Sequence, residues 1–237
     1  MRLRLSVVAV LAVGGALLAG CHTSVVGQGP SAQRSVPAQD AVVPGSAAKA
    51  LDGLLVRVKG TMAGYTRTAF GPAWSDDTTD PDGHNHCDTR DDILARDLTQ
   101  ITYKSGHCTV ATGTMHDPYT GRTIHFVRGP KSTVIQIDHV VPLGDAWVVG
   151  AAQLTAIQRM DLAEDPLELL AVDGPTNEAK GDGDASQWLP PSTGYDCSYV
   201  ARQIAVKAKY RLWVTAAEKT AMQKVLAGCP AQPLPTE

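Results

Sequence analysis

Residues Val7 to Leu18 form an apolar run with Arg2 and Arg4 ahead of it, and this run constrains the chain more than any other feature. It has the length of a signal-peptide core and falls short of the roughly 20 residues that a membrane-spanning helix needs. The reading is an export signal over residues 1–20, which places the rest of the chain in an oxidising compartment and changes what its cysteines mean. The run ends in Leu18-Ala19-Gly20-Cys21.

That ending resembles the lipobox of bacterial lipoproteins, which implies a diacylglyceryl anchor on Cys21 at the extracytoplasmic face of the cell membrane. The plainer alternative is an ordinary secretory signal. Residues 22–46 are rich in Gly, Ser, Pro, Gln and Val, too polar to bury much surface, so 21–46 is expected to be a flexible tether. Residues 47–229 remain as one domain, followed by a tail at 230–237.

With Cys21 assigned to lipid, Cys87, Cys108, Cys197 and Cys229 remain, and four cysteines allow three pairings. Cys87–Cys108 with Cys197–Cys229 is favoured, each closing a loop of a few tens of residues. The rival is a zinc site built from His84, His86, Cys87, His107 and Cys108, although the cysteines lack CxxC spacing.

The body carries no global basic field. Lys and Arg total 21 against 24 Asp and Glu, and loss of Arg2 and Arg4 takes the net charge from -3 to -5. A polyanionic partner has to be met by a local patch. Lys207, Lys209 and Arg211, with Arg202, form one candidate on a helix over 199–212, with a solvated helix face as the alternative. Trp188 and Trp213 read as core anchors.

Apolar spacing predicts a helix over 47–60 from Leu51, Leu54, Leu55 and Val58. The Asp-rich stretch 71–92 contains no calcium-loop pattern and reads as solvated turns. β-type runs appear at 101–104, 108–113 and 123–127, then at 134–143 and 167–172. A helix is expected over 145–163, with apolar positions Trp147, Ala151, Leu154 and Ile157, and another starts near Thr176-Asn177. Val200, Ile204 and Ala208 line one helix face, and Thr215-x-x-Glu218 is a capping box for a last helix that stops at Gly228. The class is α+β, with antiparallel strands and flanking helices.

The strand at 134–143 holds Asp138 and His139 side by side before Pro142. A second strand some thirty residues on and a helix carrying Asn177 would bring imidazole, carboxylate and amide to one crevice. These groups suit metal-assisted hydrolysis: a neutral imidazole takes a proton from water, and oxygen ligands hold a hard divalent ion.

The segments Cys87-Asp88-Thr89-Arg90-x-Asp92-Ile93-Leu94, Asp117-Pro118-Tyr119-Thr120-Gly121, Ile137-Asp138-His139-Val140-Val141 and Asp173-Gly174-Pro175-Thr176-Asn177-x-x-Lys180-Gly181-Asp182 resemble the exported bacterial branch of the HNH endonucleases. Trp188-Leu189-Pro190-Pro191 and Cys197-x-Tyr199 extend the likeness over nearly all of 60–229. It implies a ββα-metal core and a nuclease acting on DNA or RNA without sequence preference. A monomer is expected, and no protein partner is indicated by the sequence. By the same likeness His139 is the general base and Asp138 and Asn177 hold the metal (Mg or Mn, with Zn possible); Lys180, three residues and one helical turn past Asn177, is placed to contact substrate phosphate. The Asn that orients the catalytic His in the family is Glu168 here, and Glu164-Asp165-Pro166 stands where related sequences read Asn-Asp-Pro. A carboxylate at 168 can accept a hydrogen bond from His139 but adds negative charge. The alternative function is therefore a non-catalytic or weakened envelope protein that keeps the fold for binding.

Overall fold

A two-stranded ribbon at the middle of the fold is buried on both faces. β4 (Ile135–His139) and β5 (Leu169–Asp173) are antiparallel, with Ile137 opposite Ala171, Asp138 opposite Leu170 and His139 opposite Leu169. Side chains alternate between faces along a strand. Ile135, Ile137, Leu169 and Ala171 enter one core, while Leu170 and Val172 enter another. A ribbon covered on both sides needs apolar residues at successive positions, which is why Leu169-Leu170-Ala171-Val172 is continuous.

These features belong to a computed structural model that describes residues 45–235. The predicted signal over 1–20, Cys21 and the tether as far as residue 44 lie outside the described residues. Among the described residues, no helix is long and apolar enough to cross a membrane.

The smaller core is closed by α2 (Thr89–Asp97) and by an antiparallel sheet of β1 (Thr99–Tyr103), β2 (Val110–His116) and β3 (Thr123–Val127). The larger core packs α1 (Ala47–Gly53), α3 (Leu143–Val148), α4 (Ala156–Glu164), α6 (Asp196–Lys209) and α7 (Ala216–Leu226) around Tyr119, Val141, Trp147, Leu162, Tyr199 and Ile204. The short α5 (Gly174–Lys180) follows β5 directly and contacts both β4 and β5. The α+β class with antiparallel strands holds, β3 falls where the alternation placed it, and Thr215 and Glu218 form the expected capping box at α7.

Several local expectations are corrected. α1 ends at Gly53 rather than 60, because the following backbone turns to Val214: Arg57 N–H donates to Val214 O and Val214 N–H to Leu55 O. Val58, expected on the buried face, is 86% exposed. The 71–92 stretch ends in helix rather than turn. Asp88 caps α2 by accepting from Asp91 N–H, and Asp91 is buried, holding Arg128 and the Val110 amide. The helix over 145–163 is split, since Gly150 adopts φ +135° and Thr155 opens α4 with its own capping box to Gln158. The helix over 199–212 starts at Asp196 and ends at Lys209; Val200 and Ile204 are buried as expected, but Ala208 is exposed.

The cysteines pair as Cys87–Cys108 and Cys197–Cys229. Cys87, His107 and Cys108 do lie close together. The zinc reading nevertheless fails, because sulfurs joined to each other are not thiolate ligands.

The candidate basic stretch is not one continuous surface patch: Arg211 is exposed, but Lys207, Lys209 and Arg202 are committed to partners. The Lys207 ammonium has no exposed surface and lies 2.7 Å from Glu218 Oε1 and 3.2 Å from Asp145 Oδ2. Lys59 joins the same network, 2.8 Å from both Asp145 Oδ1 and Asp184 Oδ2. Burial alone would lower the pKa of Lys207, but the two carboxylates raise it. Lys209 pairs with Asp165 and Asp80, and Arg202 donates to the carbonyls of Leu167 and Pro166.

Candidate active site

His139 ends β4 and is 8% exposed. Its Nε2 lies 3.0 Å from the carbonyl oxygen of Ala163. A carbonyl only accepts, so the hydrogen is on Nε2 and Nδ1 is the basic nitrogen. Burial pushes the imidazole pKa down to about 3, with Arg67 and Lys180 adding to the shift and the Ala163 carbonyl opposing it. The ring is therefore neutral at pH 7. The Trp74 indole stacks on it with centroids 6.4 Å apart and planes 18° apart.

Asp138, one residue earlier, points to the opposite face of the strand. Its Oδ2 accepts from the Tyr119 hydroxyl, and both its oxygens lie 2.8 Å from Lys180 Nζ. Burial raises its pKa, and Lys180 and Tyr119 counter that shift. The hydrogen bonds of Asp117 explain how Tyr119 gets there. Asp117 Oδ1 accepts from the amides of Tyr119 and Asp173, and Oδ2 accepts from the Thr120 amide and hydroxyl, which fixes the Asp117–Gly121 turn against the end of β5.

Lys180 does not reach outward to phosphate. Its Nζ has no exposed surface and bonds both Asp138 oxygens and, at 2.6 Å, the His139 carbonyl. It thus clamps the end of the strand from which the imidazole projects. Glu168 does not meet the imidazole either. Its carboxyl is fully buried, accepts the Val141 N–H with both oxygens at 3.2 Å, and is pushed by burial well above the usual carboxylate range. The group that orients His139 is the Ala163 carbonyl. Asn177, on α5, donates Nδ2 to Gln136 Oε1 at 2.9 Å.

A cavity of about 450 Å³ opens beside His139. Arg67, Arg90, Asn177 and Asp182 line it, together with Asp138 and His139. Gly144 leaves room for the acid at its rim, since a Cβ there would lie 2.6 Å from the Asp182 carboxylate. Asp138, Asn177 and Asp182 are oxygen-bearing residues in the cavity lining, and oxygen donors are the type a hard divalent ion takes. With three hydrogen bonds already on its two oxygens, Asp138 keeps about one lone pair for such an ion. Arg67 is exposed and, among the described residues, makes no hydrogen bond or ion pair, so its guanidinium is available to an anion.

A smaller cavity of about 200 Å³ also touches Arg67, Trp74 and His139, and Glu164 lines it. Burial pushes the Glu164 carboxyl up to about 7. Sequence reasoning missed Arg67, Trp74, Arg90, Tyr119 and Glu164 as site residues. Arg90 and Tyr119 stood inside the family-like segments and Glu164 at a noted departure. Arg67 and Trp74 lie in aperiodic chain with no signal.

Comparison with known proteins adds two findings. Residues 88–225 match the family model described as GmrSD restriction endonucleases, C-terminal domain. The chain is also 39% identical over 181 residues to an "Uncharacterized secreted protein" of Arthroderma benhamiae, covering 76% of this chain and 82% of that protein. No solved structure matches.

Proposed function

The chain belongs to the family of the GmrSD restriction endonuclease C-terminal domain, a nuclease family, and from that membership we propose that it is an exported, divalent-metal-dependent nuclease hydrolysing phosphodiester bonds of DNA or RNA, with His139 as general base. One observation carries the reading. A neutral imidazole is held through Nε2 by the Ala163 carbonyl, leaving Nδ1 to take a proton from water, on the wall of a cavity lined by two arginines. Burial is the main cause of the low pKa, and a phosphate anion beside His139 would offset the charge of Arg67 and raise the basicity of the imidazole.

Arg67 and Arg90 take the role of phosphate contacts that was expected of Lys180, which instead positions His139 through its carbonyl. Asp138 and Asn177 would hold the divalent ion, which supplies charge stabilisation at the phosphate and the leaving oxygen. The β4–β5 pair followed by α5 is compatible with a ββα-metal core. The alternative of a non-catalytic relative drew on the charge of Glu168, but that carboxyl is driven toward its neutral form and lines neither cavity.

Export is supported by the related fungal protein being named as secreted. Lipid attachment at Cys21 is carried by Leu18-Ala19-Gly20-Cys21 alone, and mass spectrometry of detergent-extracted protein tests it.

The functional test is plasmid nicking with Mg²⁺ or Mn²⁺. Nicking should stop with EDTA and be lost in His139→Ala with the fold intact by circular dichroism. Equal nicking by that variant overturns the assignment.

A further inference from the structure

The polar cavity is read as the phosphate site, but the smaller cavity, which shares Arg67, Trp74, His139 and Leu143 with it, has a different chemistry. Phe70, Pro72, Ala73, Leu143 and the Trp74 ring make its walls largely apolar, and Glu164 lines it as well. At about 200 Å³ it has room for one planar base and not for a base pair.

Glu164 is 4% exposed, and its Oε1 accepts the Trp74 N–H at 2.9 Å. The carboxyl also feels the Ser75 amide and the Thr89 hydroxyl, yet Oε2 is buried and completes no hydrogen bond. A buried acceptor left without a donor is an unfavourable arrangement that a ligand N–H relieves. Trp74 is held at φ +61°, a conformation uncommon for a non-glycine residue, in a segment also tied by Thr89 Oγ1 to Ser75 O and by Arg159 Nε to Ala69 O. An aromatic wall and a buried acceptor together match the way proteins take unstacked bases.

We propose that this cavity is a nucleobase subsite that takes one unpaired base beside the scissile phosphate, with guanine preferred. The proposal rests on the nuclease reading of His139 and names the substrate class more closely. Guanine presents two adjacent N–H donors on its Watson–Crick edge: one supplies the donor that Oε2 of an ionised Glu164 lacks, and the other shares Oε1 with the Trp74 N–H. In a duplex that edge is taken by pairing, so the subsite selects single-stranded or locally opened nucleic acid. Arg67 lines both cavities and so links the base position to the phosphate position.

The test maps cleavage ends by sequencing after digestion of randomised single-stranded oligonucleotides at pH 8, where Glu164 is ionised. The wild-type protein should favour guanine at one position next to the cut by about tenfold, the scale of one bidentate base contact. Glu164→Gln, which presents an amide N–H in place of an acceptor, should lose or invert that preference. Ala73→Phe, at an exposed position lining only this cavity, should flatten the profile by filling it.

Calorimetric titration with GMP, AMP, CMP and UMP gives a reading independent of cleavage, with GMP tightest and its affinity reduced at least fivefold by Glu164→Gln. Efficient cleavage with a flat wild-type profile overturns the subsite and leaves the nuclease reading standing. Absent cleavage with selective GMP binding does the reverse. Loss of both overturns both.

Discussion

Replacing Lys207 with Met removes a buried ammonium while keeping most of its packing volume. In the native protein that ammonium stands 2.7 Å from Glu218 Oε1 and 3.2 Å from Asp145 Oδ2, with no exposed surface. Asp145 would retain Lys59 at 2.8 Å, but Glu218 would keep only the long 3.4 Å hydrogen bond from the Thr215 amide. Leaving a buried charge uncompensated costs about 3–5 kcal/mol. For a folded body of this size each kcal/mol lowers Tm by roughly 2–4 °C, so a fall of about 6–20 °C is expected. Urea unfolding followed by circular dichroism should show a lower midpoint at unchanged slope. Adding Glu218→Gln should restore a large part of the loss, because the orphaned carboxylate is then gone. The pH dependence has a definite sign. The Glu218 carboxyl, already raised by burial, rises further without Lys207, so the deficit is full above its folded pKa and vanishes as the pH falls through it. A surface patch would behave differently, with Tm unchanged and the salt slope of DNA binding reduced by about one. A stability change below about 1 kcal/mol together with weakened DNA binding would refute the buried network.

Three further outcomes are expected. The His139 ring should stay neutral from pH 8 to pH 5 with its hydrogen on Nε2, and ¹⁵N chemical shifts that titrate near the ordinary value of about 6.5 would contradict its burial and its bond to Ala163. Tyr119→Phe removes a hydrogen bond to the Asp138 carboxylate and should cost about 1.5–3 kcal/mol in chemical denaturation, whereas a neutral effect would mean that Asp138 does not need it. Opening either disulfide by paired Cys→Ala changes should destabilise by about 3–4 kcal/mol, from loop separations of 21 and 32 residues, and Tm values matching wild type would count against these pairings.

Much of the site was legible because it depends on short-range pattern. Asp138 and His139 before Pro142 announce a strand end with two ionisable groups, and Thr215-x-x-Glu218 announces a helix start. Asp88 could have been read as a cap too, but the surrounding aspartates hid it among turn residues. Other roles depend on residues far apart in the chain. Lys180 sits one turn beyond Asn177, which suggested a shared substrate, yet its side chain reaches back 42 positions to Asp138. Lys207 looks like part of a basic helix face until Asp145 and Glu218 are placed opposite it.

The sequence by itself therefore determined the secondary-structure class and pointed to the Asp138–His139 pair as the candidate site, since periodicity, capping and motif spacing are local properties. Only the tertiary structure decided which charges remain available to a ligand. Lys180, Lys207 and Glu168 all carry ionisable groups that are buried among partners, while Arg67, which had no signal in the chain, is exposed beside His139. Burial and pairing are set by elements brought together from opposite ends of the chain, and in a low-dielectric interior they determine whether an ionisable group meets substrate or holds the fold.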